Sequence, residues 1–193
     1  MKNEFARQLV HLSGIFFVML AQFIGRNASI LCFFIISLFF FVYSFYVRRV
    51  EKAMDSLFKR FENKFRNFTL SLERKENIPY TGAFFFYAGF TLTFILFPLP
   101  IASAACSMLA VGDALSTLVG LKFGKIKIGN KTFEGSVACF LGSLLAGVFF
   151  VNFYISLVGA TMACVSEFIP KINDNLAIPI LSGFAMFFIS FII

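Results

Sequence analysis

Residues 112–136 read GDALSTLVGLKFGKIKIGNKTFEGS, and the fold follows from how this stretch is parsed. An apolar run rich in small residues leads in and carries Asp113. A short loop then holds Lys122, Lys125, Lys127 and Lys131, and Thr132-Phe133-Glu134-Gly135-Ser136 opens another apolar run. That order describes a helix leaving a bilayer, a basic surface loop and a helix re-entering. Beyond Glu76 the chain holds four acidic residues, Asp113, Glu134, Glu167 and Asp174. Carboxylates at membrane depth are costly, so their default reading is functional.

Working outward, the same alternation of apolar runs and basic loops covers the chain. Of 193 residues 59% are hydrophobic and 31 are Phe, far more apolar than a soluble domain of this length. One membrane domain over 1–193 is expected: all-α and polytopic, with about seven transmembrane helices plus one cytoplasmic amphipathic helix. The spans are placed at 9–25, 28–47, 78–97, 101–121, 133–152, 153–169 and 175–193. The first is read as a permanent span, not a cleaved signal. Pro98 and Pro100 separate the third span from the fourth. Ala102, Ser103, Ala104, Ala105, Ser107, Ala110, Gly112 and Ala114 permit close helix packing and make the fourth span central. Between spans two and three, the 48–77 segment repeats Val50, Met54, Leu57, Phe58, Phe61, Phe65, Phe68 and Leu72 at helical spacing among charges, an amphipathic helix that extends span two or lies in the interface, a Phe-rich stripe fitting a membrane surface better than a soluble coiled-coil partner.

The net charge of +7 does not read as a nucleic-acid footprint, because the cations gather in loops between apolar runs. Seven spans put the N-terminus, 48–77, 120–134 and the Lys171 loop on one side, which the positive-inside rule makes cytoplasmic. Every candidate polar site then opens to the cytosol. Cys32, Cys106, Cys139 and Cys164 sit in apolar runs with no C-x-x-C, so buried free thiols are expected and a zinc site is not.

Three groups of residues could do chemistry. Asp113, Ser116 or Thr117, and Gly120 share a helix face; this suits a hydrated divalent cation beside a glycine, or an interhelical hydrogen bond. The lysine loop leads to a helix N-terminus that Thr132 can cap, with Glu134, Gly135 and Ser136 in its first turn, which suits phosphate. Glu167 lies in an apolar run before Pro170, and Asp174-Asn175 precede the last span, where Asp174 could cap the helix. Arg7 and His11 lie one turn apart on the first span, where His11 could be structural, orient a phosphate or move a proton.

The ordered set resembles the CTP-dependent lipid-alcohol kinases: dolichol kinase, phytol kinase and the CTP-using diacylglycerol kinase, with a more distant likeness to phosphatidate cytidylyltransferases. The matching pieces are Arg7-Gln8-Leu9-Val10-His11, Gly112-Asp113-Ala114 with Gly120, Lys131-Thr132-Phe133-Glu134-Gly135-Ser136, and Glu167 followed by Asp174-Asn175 and Ile178-Pro179. Stretches 112–136 and 167–179 would then carry the catalytic motifs. The resemblance implies transfer of the CTP γ-phosphate to a lipid hydroxyl with Mg²⁺, the acceptor being a polyprenol, a phytol-like alcohol or diacylglycerol. It implies Asp113 and Asp174 as metal ligands or base, supported by Glu134 or Glu167, with His11 also in the catalytic set. Lys131, Lys125 and Arg7 would neutralise phosphates, with Thr132, Gly135, Ser136 and Asn175 around the nucleotide. The competing readings are a cytidylyltransferase and a membrane transporter, the latter disfavoured because the acids cluster at one interface.

Overall fold

The structure, a computed structural model, describes residues 2–50, 80–129, 131–169 and 172–193. It is mostly helical (82%). In chain order the helices are α1 (Lys2–Leu12), α2 (Gly14–Ile24), α3 (Arg26–Val50), α4 (Thr81–Leu96) and α5 (Leu99–Met108). A π-helical turn (Leu109–Asp113) joins α5 to α6 (Ala114–Phe123). Two short strands, β1 (Lys127–Ile128) and β2 (Lys131–Thr132), precede α7 (Phe133–Gly147), α8 (Phe153–Ser166) and α9 (Asp174–Ile189). Most of the 48–77 segment lies outside the described residues.

Among the described residues, three helical stretches are long and apolar enough to cross a membrane: Glu4–Ile24 through α1 and α2, Arg26–Tyr46 in α3, and Leu99–Phe123 through α5, the π turn and α6. Helices α4, α7, α8 and α9 are apolar but have 16, 15, 14 and 16 residues. At 1.5 Å per residue such a helix reaches about 21–24 Å, against about 30 Å of hydrocarbon.

Helix α5 is the centre. Every residue from Ile101 to Met108 is buried. It packs against α2, α4, α7, α8 and α9, which its small side chains permit. The core adds Phe90, Phe94 and Phe97 from the α4 side and Ile178 and Met186 from α9. Helix α3 lies outside, against α4, and exposes Leu31, Phe34, Ile35, Leu38, Phe39 and Val42. The proline break falls where expected: α4 stops at Leu96, Phe97 is extended, and Pro98 starts α5.

The first span stands as Glu4–Ile24, with one turn residue between α1 and α2 at Ser13, whose hydroxyl donates to the Val10 carbonyl at 2.6 Å. Several sequence expectations are corrected. The all-α expectation omits the antiparallel hairpin, in which Lys127 pairs with Thr132 and Ile128 with Lys131. The fifth and sixth expected spans end early as helices, α7 at Gly147 and α8 at Ser166, each followed by a turn. Of the cysteines, Cys106 and Cys139 are buried free thiols, whereas Cys32 is exposed and Cys164 half-buried.

Candidate functional site

The chain folds so that one end of the helical array collects charge. Asp113 closes the π turn, a distortion often found at functional sites. Within that turn, a Cβ at Gly112 would fall 2.2 Å from Ser143 Oγ. Glycine lets α7 approach, and the Ser143 hydroxyl donates to the Met108 carbonyl at 3.4 Å, just before the turn. The buried Asp113 carboxylate meets α1 across the helix array, with Oδ2 3.7 Å from His11 Nδ1. That is ion-pair distance for a protonated imidazole and longer than a hydrogen bond. The His11 ring is held edge-on to Phe86, with centroids 4.9 Å apart.

Lys131 leaves β2 and places Nζ 3.2 Å from Glu167 Oε1 and 3.2 Å from Asp174 Oδ2. The Glu167 side chain has 0% exposure, against 24% for Lys131 and 30% for Asp174. Ser116 Oγ donates to the other Glu167 oxygen, Oε2, at 3.0 Å, so both oxygens of this buried carboxylate are engaged. Burial by itself lowers the Lys131 pKa, but the nearby carboxylates Glu167, Asp174 and Asp113 outweigh it and hold the pKa above the ordinary lysine value. Lys131 is therefore a committed ammonium among three carboxylates.

The loop that delivers Lys131 is fixed by its ends. Thr132 caps α7, its Oγ1 accepting from the Gly135 amide at 3.1 Å, as the sequence indicated. That bond uses the Gly135 N–H, which is thus withdrawn from the phosphate-binding role expected for it. Gly135 serves close packing instead: a Cβ would lie 2.8 Å from the Ser116 carbonyl. The space over Gly120 is likewise filled by Thr132 Oγ1, 2.9 Å from a hypothetical Cβ, and not left for a ligand. The Phe133 amide donates to the Ile126 carbonyl at 2.9 Å, and Ser136 Oγ is buried with no hydrogen-bond partner among the described residues.

The structure thus brings together His11, Asp113, Lys131, Glu167 and Asp174. Others make contacts of their own. Arg7 is paired with Glu4 one turn earlier. Glu134 is at the hairpin, where Oε2 accepts from the Ile126 amide at 3.4 Å, and Lys125 is exposed on the same loop. Asn175 ties α9 to α4 by donating from Nδ2 to the Gly82 carbonyl at 3.2 Å. The α9 cap is Asn173, not Asp174: Asn173 Oδ1 accepts from the Asn175 amide at 3.0 Å, which leaves the Asp174 carboxylate for Lys131. Sequence reasoning did not find Glu4 as the partner of Arg7, nor Ser116 as the anchor of Glu167. The first was open to the i,i+3 rule; the second joins residues 51 apart and leaves no local trace.

Among the described residues no group of three or more His, Cys, Asp or Glu is arranged to hold a metal ion. With both Glu167 oxygens engaged, Asp113 and Asp174 are the remaining carboxylates of the cluster. That donor set fits Mg²⁺, which is commonly held by one or two carboxylates together with substrate phosphates and water.

No family model matches the sequence, and no solved structure matches it. The chain is 31% identical over 190 residues to uncharacterized protein RP860 of Rickettsia prowazekii (strain Madrid E), covering 92% of this chain and 90% of that one. It belongs to the RP860 family. The match covers most of both chains.

Proposed function

We propose that this protein is a membrane-embedded kinase that transfers the γ-phosphate of CTP to the hydroxyl of a lipid alcohol, a polyprenol being the favoured acceptor. The observation that carries the proposal is the Lys131 ammonium held between Glu167 and Asp174, with the Asp113–His11 pair contributed to the same end of the array. Phosphoryl transfer needs positioned charge more than covalent chemistry, and this cluster supplies both signs. The CTP preference and the class of acceptor rest on the sequence resemblance to lipid-alcohol kinases.

In this reading the seven apolar helical units all cross the bilayer, the shorter ones where the hydrocarbon is locally thin. The basic segments and the charged cluster face the cytoplasm. The lipid keeps its chain in the membrane and presents its hydroxyl at the cluster. Asp113, with His11 behind it, accepts the hydroxyl proton. The alcohol oxygen bonds to the γ-phosphorus, the bond from that phosphorus to the bridging oxygen breaks, and CDP leaves. Lys131 turns towards the phosphates and balances their charge. Mg²⁺, held by Asp174 with the nucleotide, would supply further neutralisation of phosphate charge.

Product analysis tests the proposal. Purified protein in lipid, given CTP, Mg²⁺ and a panel of polyprenol, phytol and diacylglycerol, should release CDP only when an alcohol is present. Pyrophosphate release with a lipid phosphate as acceptor would instead make the protein a cytidylyltransferase.

A further inference from the structure

We propose that residues 121–128 form a seat for anionic phospholipid headgroups in the surface of the surrounding bilayer. The inference rests on the membrane placement above, but not on the kinase chemistry. The stretch reads Leu-Lys-Phe-Gly-Lys-Ile-Lys-Ile, and every residue in it is exposed. Leu121, Phe123, Ile126 and Ile128 are among the exposed large hydrophobic residues, with Leu121 at 61% and Ile126 at 58%. Lys122, Lys125 and Lys127 alternate with them, and Lys122 Nζ lies 5.1 Å from the Phe123 ring centroid. Apolar side chains interleaved with cations suit the layer where acyl chains meet anionic headgroups, and suit neither water nor hydrocarbon alone.

The surface is built, not a loose loop. The Gly124 amide donates to the Gly120 carbonyl at 3.1 Å, and the Ile126 carbonyl receives the Phe133 amide. The Glu134 carboxylate accepts from the Ile126 amide, which leaves three exposed lysines against one acid on this face. The stretch also continues directly from the Leu99–Phe123 helical run, one of those long enough to span a membrane, so it emerges at the headgroup level. A competing occupant is the 51–79 segment of the chain itself. Its seven basic and five acidic residues make it like-signed with the lysines, so charge complementarity favours anionic lipid. Each lysine near an anionic membrane surface corresponds to about a fivefold preference.

The chain contains no Trp, so Phe123→Trp installs a single reporter. The variant is placed in vesicles of phosphatidylcholine containing brominated phosphatidylglycerol, or of phosphatidylglycerol containing brominated phosphatidylcholine. Quenching by the brominated anionic lipid is expected to exceed that by the brominated zwitterionic lipid by at least about twofold. Changing Lys122, Lys125 and Lys127 together to Gln should abolish the difference. Equal quenching by both lipids overturns the proposal, as does water-exposed emission. Shielded but unquenched emission also overturns it and would assign the face to protein. Phe34→Trp on α3 is the control: quenching there with none at residue 123 refutes the seat alone, whereas no quenching at either refutes the membrane placement.

Discussion

Removing the Lys131 ammonium by Lys131→Met keeps an apolar stem of similar length and strands two carboxylates. Glu167 has 0% side-chain exposure and loses one of its two donors, keeping the Ser116 hydroxyl. Breaking a fully buried ion pair costs about 3–5 kcal/mol. Here Lys131 is 24% exposed and Asp174 30% exposed, so solvent screens the Asp174 arm and its share falls towards the 0–1 kcal/mol of surface pairs. The expected loss is therefore about 2–3 kcal/mol, or about 4–12 °C in Tm for a domain of this size. The assay is thermal unfolding in lipid nanodiscs for Lys131→Met, Glu167→Gln and the double variant. Glu167→Gln removes the stranded charge, so the double variant should be at least about 1 kcal/mol more stable than the sum of the single losses implies. Additive losses, or a Lys131→Met effect below about 0.5 kcal/mol, would refute the reasoning that this lysine holds the cluster together.

The same site fixes a pH dependence. The folded-state pKa of Lys131 is raised, so its stabilisation is full below the ordinary lysine value of about 10.5 and fades as pH climbs through the higher folded value. The stability difference between wild type and Lys131→Met should shrink as pH climbs above about 10.5. Asp113→Asn should leave folding intact by circular dichroism and lower turnover about 10²–10⁴-fold, the range of a lost proton acceptor. Thr132→Ala removes the α7 cap and should cost about 1 kcal/mol in unfolding experiments. Gly135→Ala forces a Cβ to 2.8 Å from the Ser116 carbonyl, and the resulting shift of α7 should raise hydrogen exchange in the hairpin.

What the sequence made legible was local. Pro98 and Pro100 cannot continue a helix, so the α4–α5 break could be read directly. Thr132 before Glu134-Gly135-Ser136 announced a cap, and the Ala- and Ser-rich run announced the central helix. Asp113, Glu167 and Asp174 were found because a carboxylate beside apolar residues is expensive, a cost that depends on surroundings and not on partners. The partners were hidden because they are distant in sequence: Lys131 reaches 36 residues to Glu167 and 43 to Asp174. The roles of Gly120 and Gly135 were missed for the same reason. A glycine declares that something comes close, and only the packing of α6 against α7 says that it is the chain and not a ligand. The Asn173 cap was overlooked because Asp174, equally able to cap, stands beside it.

The central claim is that the cluster around Lys131 transfers phosphate from CTP to a lipid hydroxyl. The most direct measurement supplies γ-labelled CTP and Mg²⁺ to wild-type and Asp113→Asn protein in vesicles containing polyprenol, then extracts the lipid. Label is expected in the organic phase with wild type, and at least about 100-fold less with the variant. Folded wild-type protein that labels no lipid alcohol, or Asp113→Asn protein that labels it at the full rate, would contradict it.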